Sequence, residues 1–191
     1  MSTSLIEFIQ KKMEFPPLRK VDPVDHEVKH DGERTMREKL GQAAIPAVLA
    51  SLYKFTKSEE GRVKMLSNKA EENWLYTILG DKEHMAVDKV AHYAGVSKDI
   101  AEENMLMIAL EAIHALRESI VHHPTHEAIE RYMGDQRHSI LVYLPASMQL
   151  GRLLDDDSLD DRTNKMEGPI SSFMHSIENK FSGNDDTSRY P

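Results

Sequence analysis

The chain has 191 residues, 40% of them apolar and 29% charged, with a formal net charge of −8. It contains ten histidines and no cysteine, which excludes a disulfide scaffold, a thiolate metal site and a cysteine nucleophile. The acidic balance argues against a nonspecific polyanion binder, because phosphate contacts need clustered Lys and Arg.

Composition points to an all-α fold. Ala, Leu and Met total 42 residues against 22 for Val and Ile, and aromatics are only 6%. The first group forms helices readily, whereas strand-building residues are scarce. The longest uncharged apolar run, Ala43 to Tyr53, spans 11 residues, and a membrane-spanning helix needs about 20. The N-terminal stretch has no basic lead and carries Glu7 within its apolar part, unlike a signal peptide. A soluble, cytoplasmic protein is expected.

In chain order, residues 2–14 suit a short helix with Leu5, Phe8, Ile9 and Met13 on one face. Pro16, Pro17 and Pro23 then hold an extended connector. A helical pattern runs from Asp31 to Phe55 with a kink or break expected at Pro46. Ser58 caps a short helix to Leu66, and residues 69–79 form another that stops at Gly80. Asp81 is placed to cap a helix ending at Gly95, and Ser97 to cap a long one reaching about Val121.

Pro124 suits the first position of a helix ending near Gly134. Residues 137–154 follow, with a second kink expected at Pro145. An acidic stretch, DDDSLDD, leads to an amphipathic helix carrying Ile170, Phe173, Ile177 and Phe181. The expectation is one all-helical domain over 1–181, a multi-helix bundle with Pro-kinked helices, followed by a disordered polar tail at 182–191. Ile45-Pro46-Ala47 and Leu144-Pro145-Ala146 hint at a weak internal duplication. The helix from Lys98 to His122 carries the widest apolar arc, including Met105, Leu106, Ile108, Leu110, Ala112, Ile113, Leu116 and Ile120, and is expected near the centre of the bundle.

Several residue patterns bear on chemistry. His26-Glu27-Val28-Lys29-His30 matches HExxH, in which two histidines one helical turn apart bind zinc and the Glu is a general base. Its setting in a charged connector, with Lys29 beside the metal position, favours a solvated helix start. Glu111/His114 resembles the Glu-x-x-His ligand pair of di-iron bundles, and with Glu118 and His122 it forms a polar strip on the long helix. An ordinary polar face explains that strip more simply. His122, His123 and His126, with Glu127 and Glu130, sit at a helix corner. Asp156, Ser158, Asp160 and Glu167 fall on calcium-loop spacing, but Asp161 stands where the loop needs Gly.

Val90-Ala91-His92-Tyr93-Ala94-Gly95-Val96-Ser97 looks like the helix–turn corner of lac-type repressors, although the following turn offers Lys98, Asp99, Glu102 and Glu103 to phosphate. There is no phosphate loop, nucleophile elbow or dinucleotide motif.

Gly41-Gln-Ala-Ala-Ile-Pro-Ala-Val-Leu-Ala-Ser-Leu-Tyr-Lys-Phe55, followed by Ser58-Glu-Glu-Gly61, resembles a pattern in bacterial YidB-like proteins, a family of unknown function. The segment from Val90 to Ser97 is similar to their other recurring element, so the resemblance covers about residues 40–120. It implies an all-helical fold and brings no catalytic residues.

The reading that follows is a binding or structural protein without assignable catalytic residues or cofactor, acting as a homo-oligomer or with a protein partner. The number of apolar helices and the 11 methionines suggest self-association. Two alternatives stand beside it. One is a zinc or iron protein using His26, Glu27 and His30 or the Glu111/His114/Glu118/His122 strip. The other is a helix-turn-helix regulator.

Overall fold

The computed structural model describes residues 4–24, 26–29, 34–67, 73–156 and 159. The order is α1 (Leu5–Lys12), α2 (Met36–Lys57), α3 (Glu59–Leu66), α4 (Trp74–Leu79), α5 (Glu83–Ala94), α6 (Lys98–Ser119), α7 (His126–Leu141) and α8 (Leu150–Leu154). Short 3-10 turns cover Gly80–Lys82 and Ala146–Met148, and there is no strand among the described residues. The fold is all-α, as composition predicts. The chain divides into units Met1–Asp161 and Arg162–Pro191, and every described residue belongs to the first. The helix expected around Ile170–Phe181 and the tail beyond it lie outside the described residues.

α2 organises the bundle. Thr35 starts it through a reciprocal cap: the Thr35 hydroxyl accepts from the Glu38 N–H at 3.2 Å, and the Glu38 carboxylate accepts from the Thr35 N–H at 2.7 Å. These bonds hold the Glu38 carboxyl below its ordinary pKa. The helix therefore begins at Met36, later than the expected Asp31. It continues past Pro46 to Lys57 without the expected break. Every residue from Leu40 to Leu52 is buried, more than three turns with no solvent-facing side. α2 packs against α1 and against each of α3 to α8.

Six of those residues are small, namely Gly41, Ala43, Ala44, Ala47, Ala50 and Ser51, so neighbours can approach it from all round. At Gly41 a Cβ would lie 2.8 Å from the Phe15 ring. The central helix is thus α2. The expected one, α6, is buried along Met105, Ile108, Ala112 and Leu116 but leaves Leu110 exposed. Large side chains widen an apolar arc, whereas a helix enclosed on every side needs small ones.

Caps explain most remaining boundaries. The Ser58 hydroxyl accepts from the Gly61 N–H at 3.0 Å and the Ser97 hydroxyl from the Ile100 N–H at 3.3 Å, both as the sequence predicts. Gly95 ends α5 with φ +69°, also as expected. α4 begins at Trp74 behind an Asn73 cap, and residues 69–72 of the helix expected over 69–79 lie outside the described residues. Asp81 does not cap α5; it lies inside a 3-10 turn that opens at Gly80. α7 starts after Thr125, whose hydroxyl accepts from Ala128, and runs through Gly134 to Leu141. Pro145 lies outside any helix, in extended backbone, so it kinks nothing and does not match helical Pro46 in a duplicated unit.

Three arginines close the C-termini of helices, where carbonyls lack intrahelical partners. Arg37 donates to the Met13 and Glu14 carbonyls after α1 and stacks 4.7 Å from the Phe15 ring centre. Arg62 donates to Thr56 and Lys57 at the end of α2. Arg117 donates to Lys64, Met65 and Ser67 at the end of α3 and stacks 5.1 Å from Trp74.

The connector between α1 and α2 is stitched to the turn after α7. Buried Gln42 accepts from the Arg19 N–H at 2.9 Å and donates to the carbonyls of Arg19 at 3.0 Å and Tyr143 at 2.6 Å. The Val21 N–H donates to Val142 and the Ala146 N–H to His26.

Two substitutions test this packing. Gly61→Ala improves helix propensity by about 1 kcal/mol. Yet its Cβ would sit 2.0 Å from the Phe55 carbonyl oxygen. Denaturant unfolding is expected to show a net loss of about 1–3 kcal/mol; a gain would contradict the close approach. Gln42→Ala strands three partly buried backbone groups and should cost about 1–3 kcal/mol, with proteolysis rising first in the connector.

Candidate functional site

The described part of HExxH, residues 26–29, does not lie on a helix. His26 has φ +58°, and 26–29 is irregular connector. A helix is what would bring two histidines four residues apart onto one face, and here the segment performs a different task. The Asp22 N–H donates to the Glu27 carbonyl at 2.7 Å, the His26 N–H to the Asp22 carbonyl at 2.9 Å. The Glu27 carboxylate takes the Ser147 N–H. Val28 is buried and anchors the segment. Both the solvated helix start and the zinc helix are thereby replaced by a connector turn; His30 lies outside the described residues.

Glu111, His114 and Glu118 do share one face of α6, whereas His122 falls beyond its end at Ser119. His114 Nδ1 is 3.7 Å from the Glu118 carboxylate, and both side chains are about two-thirds exposed. That is the ordinary i,i+4 contact of a solvated face. At the corner, His122 and His123 are exposed. Glu130 pairs with Arg62 at 2.8 Å. Glu127 is held below its ordinary pKa by its own N–H and the Thr125 hydroxyl. Among the described residues no group of three or more His, Asp or Glu is arranged to hold a metal ion.

In the acidic stretch, Asp156 lies 3.3 Å from Lys57 and 3.7 Å from Lys54. The Lys54 ammonium also reaches the Asp155 carbonyl, and Lys82 pairs with the Asp155 carboxylate. Asp156 thus faces lysines; Ser158, Asp160 and Glu167 lie outside the described residues. The α5–α6 corner is formed as the repressor-like motif predicts, but Lys98 pairs with Asp88 at 2.6 Å. Asp99, Glu102 and Glu103 are exposed on the first turns of α6, a face that duplex phosphates would repel.

The surface feature that stands out is an apolar stripe, of which the sequence places only Leu110 in the arc expected near the centre of the bundle. On the outer face of α6, Ile100, Met107 and Leu110 are 46%, 47% and 43% exposed. They recur at spacings of seven and three, interleaved with exposed Glu103, His114 and Glu118. The clue lay in the arc itself, which is too wide to be covered on every side. Among the described residues no helix is long and apolar enough to cross a membrane. The chain matches no family model, no curated protein and no solved structure.

The lysine contacts beside the acidic stretch make a prediction about pH. The hydrogen bond and charge of Lys82 hold the Asp155 carboxyl below its ordinary value. A carboxyl lowered in the folded state favours folding above its unfolded value and loses that contribution as pH falls through the lowered one. Carboxyl NMR titration should find Asp155 below a free aspartate, and Lys82→Ala should return it upwards. An unchanged titration in the variant contradicts the pairing.

Proposed function

We propose that the protein is a non-catalytic binding module that works as a homodimer, joined through the outer face of α6. The observation that carries this reading is the Ile100/Met107/Leu110 stripe, three large apolar side chains left about half exposed on one face of a 22-residue helix. Isolated exposed apolar residues need no explanation, but three aligned on a rigid helix form a contiguous contact line.

Charge complementarity favours a second copy as the occupant. When two α6 helices cross antiparallel about the midpoint of Met107 and Leu110, Met107 of each copy meets Leu110 of the other. The same register sets Glu103 of each copy against His114 of the other, an acceptor against a donor. It also sets Glu118 of each copy against Asp99 of the other, a like-charge pair at the rim, where carboxylates remain hydrated. The stripe from residue 100 to residue 114 is about 21 Å long. An interface of that length is small, and the net charge of −8 on each chain opposes it.

Sedimentation at increasing concentration should reveal a weak dimer with Kd of about 10–100 µM. Added salt should tighten it, because screening relieves repulsion between two acidic chains. Met107→Glu with Leu110→Glu should give a monomer of unchanged helical content. A wild-type monomer at about 1 mM, or a dimer indifferent to this double change, overturns the reading. Salt-weakened capture of a basic helix by the same face would replace it with a hetero-partner.

A further inference from the structure

The chain carries 11 methionines and no cysteine. Without thiols, thioethers are the side chains that peroxide oxidises first. Burial sorts the methionines among the described residues. Met65, Met105, Met133 and Met148 are 2% exposed or less, whereas Met36, Met85 and Met107 are 65%, 42% and 47% exposed. Of these last three, only Met107 lies in the apolar stripe of α6, between Ile100 and Leu110. We propose that Met107 is a site of reversible oxidation that controls the pairing of α6: the thioether form joins two copies and the sulfoxide form does not. Such control rests on the α6 dimer proposed above.

The oxidant is a peroxide. The Met107 sulfur attacks one peroxide oxygen, an S–O bond forms as the O–O bond breaks, and hydrogen peroxide leaves as water. Sulfur loses two electrons and the peroxide gains them. The product is a sulfoxide, a polar hydrogen-bond acceptor, which reductases specific for each epimer return to the thioether.

The neighbours of Met107 suit a thioether better than a sulfoxide. One turn away on the same helix stand Glu103 and Glu111, both acceptors when ionised. The Asn104 amide donates to the Ile100 carbonyl at 2.7 Å. Across the crossing Met107 meets Leu110 of the second copy, which is apolar. Pairing would therefore bury an added acceptor from each copy at the centre of the contact line, whereas water satisfies it in the monomer. Met105, two residues away, points into the core and is fully buried. Pairing covers Met107 in turn, so the monomer is the form that reacts.

The experiment treats the full chain with hydrogen peroxide at about 10 µM and about 1 mM protein. Peptide mass mapping then quantifies each sulfoxide, and sedimentation measures pairing. At the lower concentration Met107 should oxidise alongside Met36 and Met85, about tenfold or more ahead of Met105. At the higher one Met107 should slow by about threefold or more, while Met36 and Met85 keep their rates. Full conversion of Met107 should raise the dimer Kd about tenfold or more with helical content kept. After partial oxidation, brief glutaraldehyde cross-linking should trap pairs depleted in Met107 sulfoxide, with Met36 and Met85 sulfoxides divided evenly between pairs and single chains. A wild type that never pairs removes the dimer, and this control with it. In a protein that does pair, three results would each overturn the control alone: Met107 oxidation indifferent to concentration, pairing that survives full conversion of Met107, or trapped pairs as rich in its sulfoxide as single chains.

Discussion

A helix with no outer face imposes the main constraint on this structure. Over Leu40–Leu52 the backbone of α2 is surrounded, so each side chain must both fill space and let another helix approach. Gly41 admits the Phe15 ring, and the alanines admit neighbouring helices. Polar residues in this stretch survive only with complete partners. Ser51 returns its hydroxyl to the Ala47 carbonyl at 2.8 Å, and Gln42 serves the connector and the turn after α7. The fixed φ of Pro46 is compatible with helix, and its missing N–H leaves the Gln42 carbonyl without its usual i+4 donor. Packing on all sides holds the helix together across that gap.

The helical class, and boundaries set by capping chemistry, were legible because they depend on neighbours in the chain. Ser58, Gly95 and Ser97 sit where their local chemistry requires. Proline and glycine misled wherever tertiary packing overrode them. Pro46 sits within α2 and Gly134 within α7, while Pro145 lies in extended backbone. Centrality was misread for a related reason. Hydrophobic arcs reward large side chains, whereas enclosure by several helices requires small ones. Of the candidate sites, HExxH was legible as a pattern but not as a conformation: its meaning depends on helicity, and the bonds from residues 142–147 hold the segment as a turn.

The distribution of charge gives the acidic composition a structural meaning. Arg37, Arg62 and Arg117 face helix-end carbonyls, and Lys54, Lys57 and Lys82 face Asp155 and Asp156. These six cations are therefore tied to the framework, and carboxylates such as Glu102, Glu103 and Glu118 define the exposed side of α6. Net charge thus describes the surface incompletely: the outer face of one helix presents acid and apolar side chains together.

The stitching of the N-terminal segment also bears on synthesis. The Leu5 N–H is received by Gln136, the Val21 N–H by Val142, and Gln42 reaches Tyr143. Each bond joins an early-made segment to one that leaves the ribosome more than a hundred residues later. At about 5–20 residues per second, α1 would wait several seconds for its partner. During that interval Leu5, Ile6 and Ile9, all buried in the finished protein, have no α7 to cover them. The same contacts that lock the connector leave the N-terminal helix incompletely covered until α7 has been made.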